Sequence, residues 1–132
     1  MILLDTHVWI WWINKSKDLS KLSNRTILLE QEPNLGISII SCWEVAKLVE
    51  RKRLQLTLSA EQWIYKALND PRIRLLDLSP RITIESTQLP GSFHRDPADQ
   101  LIVATARVLE IPLITADQKI LDYPHVDTLT RN

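Results

Sequence analysis

Four short apolar runs, Met1 to Leu4, Leu35 to Ile40, Ile73 to Leu76 and Pro112 to Thr115, alternate along the chain with helical stretches, and no hairpin signal joins any two of them. Strands that are apolar almost throughout, with helices between them, call for a parallel sheet covered on both faces. The predicted class is therefore α/β, a three-layer α/β/α sandwich with a central parallel sheet. Val126 to Leu129 reads as a further, short terminal strand.

The helical stretches carry their own punctuation. Ser20 to Glu30 presents Leu22, Ile27, Leu28 and Leu29, and Ser41 to Arg53 begins with Ser41 and Glu44 at capping-box spacing before Val45, Leu48 and Val49. Ser59 and Gln62 repeat that box ahead of Trp63, Ile64 and Ala67. A further helix opens at Asp96 with Pro97 at its first position and Asp99 at its third, and its first half is apolar on nearly every side, so it is expected to be buried. No repeat, low-complexity segment or linker divides the chain, and only Pro90 to Pro97 is irregular. One domain over residues 1–132 is expected.

Composition narrows the chemistry. Cys42 is the only cysteine, so neither an intrachain disulfide nor a thiolate zinc cluster can form, and a reducing, cytoplasmic setting is the default. Two glycines, Gly36 and Gly91, are too few for a Walker loop or a dinucleotide fingerprint. Sixteen basic and sixteen acidic residues leave no net charge, so attraction for nucleic acid must be local or supplied by a metal ion. The apolar start, Met1 to Trp12, lacks a basic flank and is broken by Asp5 and His7, unlike a signal peptide. No apolar run approaches the roughly 20 residues of a membrane span, and a soluble protein with no membrane partner is expected.

In an open parallel sheet, ligands bind beyond the carboxyl ends of the strands. Asp5 follows the first run, Glu44 lies one helical turn after the second, and Asp117 lies just past the fourth, while Asp96 and Asp99 open the helix that leads into that fourth run. A shared cluster of Asp5, Glu44, Asp99 and Asp117, with Asp96 nearby, is geometrically reasonable. Like charges at such spacing require a cation, and an oxygen-only donor set selects Mg²⁺ or Mn²⁺ over zinc. His7, His94 and His125 show no metal-ligand spacing.

Each acid also has an ordinary explanation. Glu44 and Asp99 occupy capping-box positions, Asp96 caps a helix ahead of Pro97, and Asp117 suits a turn. Asp5 is the hardest to explain away, because an acid between Leu4 and the apolar stretch from Val8 to Ile13 is buried at a cost unless paired. Trp9, Trp11 and Trp12 point to different sides of one short helix, which leaves a dimer or partner surface and ordinary packing both open. Arg51, Lys52 and Arg53 are accounted for by the dipole of the helix they end more readily than by RNA contact. Asp77 reads as a solvated strand-end acid.

Met1-Ile2-Leu3-Leu4-Asp5-Thr6-His7, Ser41-Cys42-Trp43-Glu44, His94-Arg95-Asp96-Pro97-Ala98-Asp99 leading into Gln100 to Ala106, and Leu113-Ile114-Thr115-Ala116-Asp117 together resemble the PIN domain, in particular the VapC-like toxins of type II toxin–antitoxin pairs. The resemblance runs from Met1 to about Leu129. It implies a Mg²⁺-dependent (or Mn²⁺-dependent) endoribonuclease that hydrolyses RNA phosphodiester bonds and is silenced by a cognate antitoxin protein. Asp5, Glu44, Asp99 and Asp117 match the family's catalytic acidic quartet. Among them Asp5 and Asp99, with Asp117, match its metal ligands. Asp96, Thr6 and Thr115 match accessory positions, and a homodimer is implied.

Two other classes of function compete. A receiver-like phospho-acceptor module also gathers acids at strand ends, but Asp5 is followed by Thr6 and His7 rather than by another acid, and the run from Leu35 to Ile40 ends without an Asp. A catalytically silent PIN-like binding protein keeps the same residues and differs only in activity.

Overall fold

The computed structural model describes residues 1–130. The chain runs β1 (Ile2–Leu4), α1 (Thr6–Ile13), a 3₁₀ turn (Lys17–Leu22), α2 (Arg25–Gln31), β2 (Leu35–Ser38), α3 (Ile39–Glu50), α4 (Ala60–Leu68), β3 (Ile73–Leu76), α5 (Pro80–Ser86), α6 (Pro97–Leu109), β4 (Leu113–Ile114) and α7 (Gln118–Leu121). The four strands form one sheet in the order β3-β2-β1-β4, every pair parallel. The three-layer α/β fold expected from the apolar runs is the one observed.

Alternation along these short strands sends side chains to opposite faces. Ile2, Leu4, Leu35, Ile37, Ile73 and Ile114 join Val8, Trp9, Val45 and Trp63 in one core, under α1, α3 and α4. Leu3 and Leu113 join Ile102, Val103, Ala106, Ile120 and Tyr123 in the other, under α6 and α7. With β1 paired on both sides, Leu3 and Leu4 are fully buried, which is why the first run tolerates no polar residue before Asp5. As expected, Val103, Ala104, Thr105 and Ala106 of α6 are buried on consecutive positions.

Trp9 is fully buried and meets Trp63 edge-on at 4.9 Å, while Trp11 and Trp12 pack against the same core and remain half-buried. Packing therefore accounts for most of this tryptophan-rich helix. Asp77 is exposed, as read.

Three element boundaries differ from expectation. The stretch Ser20 to Glu30 is not one helix, because Ser23 takes a positive φ of 54° and divides a 3₁₀ turn from α2. The second strand ends at Ser38, and Ile39 and Ile40 already belong to α3. Val126 to Leu129 forms no strand; it gives β4 one backbone bond, Leu113 N to Asp127 O at 2.8 Å, before Leu129 turns to a φ of 59°. The short helices α5 and α7 had no sequence expectation.

Candidate active site at the carboxyl edge of the sheet

The end of β1 delivers Asp5, whose extended φ and ψ make it the cap of α1 while its carboxylate stays 5% exposed. Its Oδ1 accepts the Thr6 N–H at 2.8 Å and its Oδ2 accepts the Thr115 hydroxyl at 2.6 Å. Burial pushes the carboxyl above its ordinary value, more than these two bonds hold it down. Each oxygen keeps a lone pair that no protein donor uses, which is what a ligand to a hard cation needs.

The shift in the start of α3 changes the meaning of Glu44. Ser38, not Ser41, caps this helix, its Oγ accepting from Ile40 N at 3.2 Å. Ser41 is then an internal, fully buried residue, and the capping role available to Glu44 disappears. Glu44 instead turns toward α1, where the Thr6 hydroxyl lies 2.5 Å from its Oε1 and 2.8 Å from Ser41 Oγ. A hydroxyl carries one proton, so Thr6 donates it to the carboxylate and Ser41 donates in turn to Thr6. Burial, followed by the charges of Asp5 and Asp96, raises the Glu44 carboxyl, and the Thr6 bond opposes the rise.

Asp96 is a helix cap in fact, its Oδ1 accepting from Ala98 N at 3.0 Å and Asp99 N at 3.2 Å. Asp117 likewise caps α7 through Lys119 N at 2.9 Å, and its own N–H donates to Thr115 Oγ1 at 3.0 Å. Thr115 thereby ties two acids from opposite ends of the chain to one hydroxyl. Asp99 is different, for its carboxylate serves no cap. It faces the other acids, and its carboxyl is pushed up from 3.8 to about 8 by burial and then by Asp5, Asp96, Asp117 and Glu44, in that order. Five acids from β1, α3, α6 and the β4–α7 turn thus share one electrostatic neighbourhood.

Little protein charge offsets them. Among the described residues no Lys or Arg forms an ion pair with any of the five; His94 Nε2 lies 3.1 Å from Asp99 Oδ2 but is not aligned as a hydrogen bond. His94 had drawn no attention as a site residue in the sequence. Want of suitable spacing set it aside there as a metal ligand, and it otherwise stood only as the first residue of the motif that leads to Asp96. A second unanticipated residue is Arg25, 7% exposed, which donates from Nη1 to the Thr115 carbonyl at 2.7 Å and from Nε to Leu22 O at 3.3 Å. Nothing in the sequence distinguished it from a surface arginine.

Among the described residues no three acidic, histidine or cysteine side chains are drawn tightly enough together to grip an ion as they stand. The donor set nevertheless fits a hard divalent cation: it is all oxygen, it is gathered at one strand edge, and its inner member holds a proton that a cation would displace. Among the described residues no helix is long and apolar enough to cross a membrane.

A family profile described as the PIN domain matches residues 2–126. Ribonuclease VapC22 of Mycobacterium tuberculosis (strain ATCC 25618 / H37Rv) is 33% identical over 129 residues, covering 98% of this chain and 96% of that protein. Among solved structures, a toxin–antitoxin complex from Klebsiella pneumoniae superimposes with a TM-score of 0.69 at 22% identity, over 100% of both chains. VapBC2 from Rickettsia felis, bound to a DNA fragment from its promoter, does so with a TM-score of 0.68 at 22% identity over 97% of each chain.

Proposed function

The chain belongs to the PIN-domain family, and from that membership we propose that it is a Mg²⁺-dependent endoribonuclease, the toxin of a cytoplasmic toxin–antitoxin pair. The observation that carries this reading is the convergence of Asp5, Glu44 and Asp117 on the Asp99 carboxyl, pushed up to about 8, with no Lys or Arg among the described residues within ion-pair distance of it. A 33% identical ribonuclease that matches along almost the whole chain supports the same activity.

Asp5, Asp99 and Asp117 hold the Mg²⁺ or Mn²⁺ in this reading, with Asp96 adding negative charge at the rim. A divalent ion there supplies Lewis acidity toward a phosphate oxygen and makes bound water more acidic. The chain's own work is positional. Thr115 fixes Asp5 and the Asp117 backbone, and Arg25 fixes the Thr115 carbonyl from beneath. Glu44, with Oε1 held by Thr6, keeps Oε2 for the proton released when water is deprotonated, and burial, by raising its carboxyl, makes it a better proton acceptor. No side chain need act as nucleophile.

A cognate antitoxin protein and a homodimer complete the proposal; the antitoxin is suggested by the toxin–antitoxin complexes whose fold this chain shares. A receiver-like role finds no support, since β2 ends at Ser38 with no acid and Asp5, after β1, is followed by Thr6 and His7 rather than by a second acid. The test is cleavage of labelled transfer, ribosomal and messenger RNA with and without EDTA, beside Asp5→Asn and Asp99→Asn. Mg²⁺-dependent cleavage lost in both variants is expected, and equal cleavage in every lane counts against the assignment. Expression of the chain alone should slow growth, and co-expression of a small neighbouring protein should relieve it.

A further inference from the structure

Beside the acids, α3 and the start of α6 border an open groove of about 280 Å³, lined among others by Trp43, Glu44, Lys47, Arg51, Arg53 and Asp96. Glu44 and Asp96 belong to the candidate site, so the groove opens directly onto it. Its other wall has the opposite sign. Lys47 and Arg51 stand one turn apart at the end of α3. Lys52 then takes a φ of 58°, and the chain doubles back so that Arg53 N bonds to Leu48 O at 2.9 Å. That reversal returns the Arg53 side chain to the groove and leaves Lys52 out of it.

The helix dipole accounts for cations in the last turn, and the reversal at Lys52 is an ordinary left-handed helix cap; its consequence is that Arg53 joins the same wall. Among the described residues no carboxylate stands within ion-pair distance of Arg51 or Arg53. Trp43, at 51% exposure, leaves much of its indole in water, with the Lys47 ammonium 6.0 Å from the ring centre. Lys47 is paired with Glu50 at 2.9 Å, so Arg51 and Arg53 are the cations left without a carboxylate partner beside this aromatic face and next to the acids.

We propose that this groove seats the single-stranded RNA flanking the scissile phosphate, with a base stacked on Trp43 and neighbouring phosphates drawn to Arg51 and Arg53. The proposal rests on the ribonuclease reading of the acidic site. Aromatic stacking with adjacent cations is how single strands are held without sequence readout, and Arg51 and Arg53, free of carboxylate partners beside Trp43, favour a polyanion, although Leu48, Pro97 and Ala98 also line the groove. Trp43, Arg51 and Arg53 are substrate-positioning residues here, acting on binding and not on bond cleavage.

The experiment measures binding of a short labelled RNA pool of random sequence to Asp99→Asn protein, in which turnover is suppressed, across a salt series. Trp43→Ala is expected to weaken binding about five- to a hundredfold, and Trp43→Phe to restore most of it. Arg51→Ala with Arg53→Ala should flatten the log–log salt slope by about 1.4, the share of two phosphate contacts on a single strand. In the otherwise unaltered protein the same changes should raise KM and leave kcat nearly constant. Unchanged affinity, slope and KM while the parent still cleaves RNA overturn the groove and spare the nuclease. A parent that neither cleaves nor binds RNA removes both. Variants that keep their grip on RNA but escape inhibition by a co-expressed antitoxin would make the groove a protein-binding surface, which also overturns the proposal.

Discussion

Neutralising Asp99 should make the metal-free protein more stable, although it removes a residue the site needs. The Asp99 carboxyl lies at about 8 in the folded chain against an ordinary 3.8, so the folded state holds a proton that the unfolded chain releases. Its contribution is fully present below pH 3.8 and is lost as pH rises toward 8. The interval between 3.8 and neutrality corresponds to about 4 kcal/mol, at about 1.4 kcal/mol per pH unit. Some of this is recovered in the parent because neighbouring acids take up protons in turn, leaving a gain of about 2 kcal/mol for Asp99→Asn near pH 7. For a chain of this size that is a rise in Tm of about 5–10 °C. Thermal melts followed by circular dichroism in EDTA, from about pH 5 to about pH 8, provide the check. The parent should lose stability across that range and the variant should be much flatter, so that the gap widens with pH. Added Mg²⁺ should narrow or reverse the gap by stabilising only the parent. A variant less stable than the parent at every pH, or more stable by a constant amount, would refute the claim that burial and the neighbouring acids raise the Asp99 carboxyl.

Three further outcomes are expected. Mg²⁺ binding near neutral pH should release about one proton, read by calorimetry in buffers of different ionisation enthalpy; heats independent of the buffer would contradict this. Thr6→Val removes the bond that holds the Glu44 carboxyl down, so the acidic limb of the cleavage profile should move to higher pH, while a uniform drop in rate would place Thr6 outside the proton path. Arg25→Ala leaves the Thr115 carbonyl without its buried donor and should cost about 2–4 kcal/mol in urea denaturation with an unchanged m-value, most of it not restored by lysine.

The sheet was legible because β1, β2 and β4 are buried at every position and almost wholly apolar, while the edge strand β3, exposed at Arg74 and Leu75, still keeps three apolar residues in four. The placement of Asp5, Asp99 and Asp117 at its carboxyl edge followed from that alone. Boundaries were less so where two caps compete. Ser38 and Ser41 both suit a helix start, and the two isoleucines between them suit either element. Pairing of Ser38 with Leu76 ends the strand there, and the earlier start turns Glu44 from a presumed cap into a partner of Thr6. Ser59 and Gln62, with no rival nearby, form the expected box. Asp96 and Asp117 are caps as well as members of the acidic group, so for them the ordinary and the functional reading hold together. Arg25 and His94 stayed hidden because their importance comes from burial beneath or beside distant segments, which periodicity does not encode.

The hydroxyl bond from Thr115 to Asp5 spans 110 positions of chain. Until the last quarter of the polypeptide has emerged from the ribosome, the pocket lacks one wall and the first acid lacks its partner. At about 5–20 residues per second, a growing chain spends several seconds to about 20 s in that unfinished condition. On the ribonuclease reading proposed above, the growing chain would stay inactive until Thr115 joins Asp5, and inhibition by a partner would matter only once that pocket has closed.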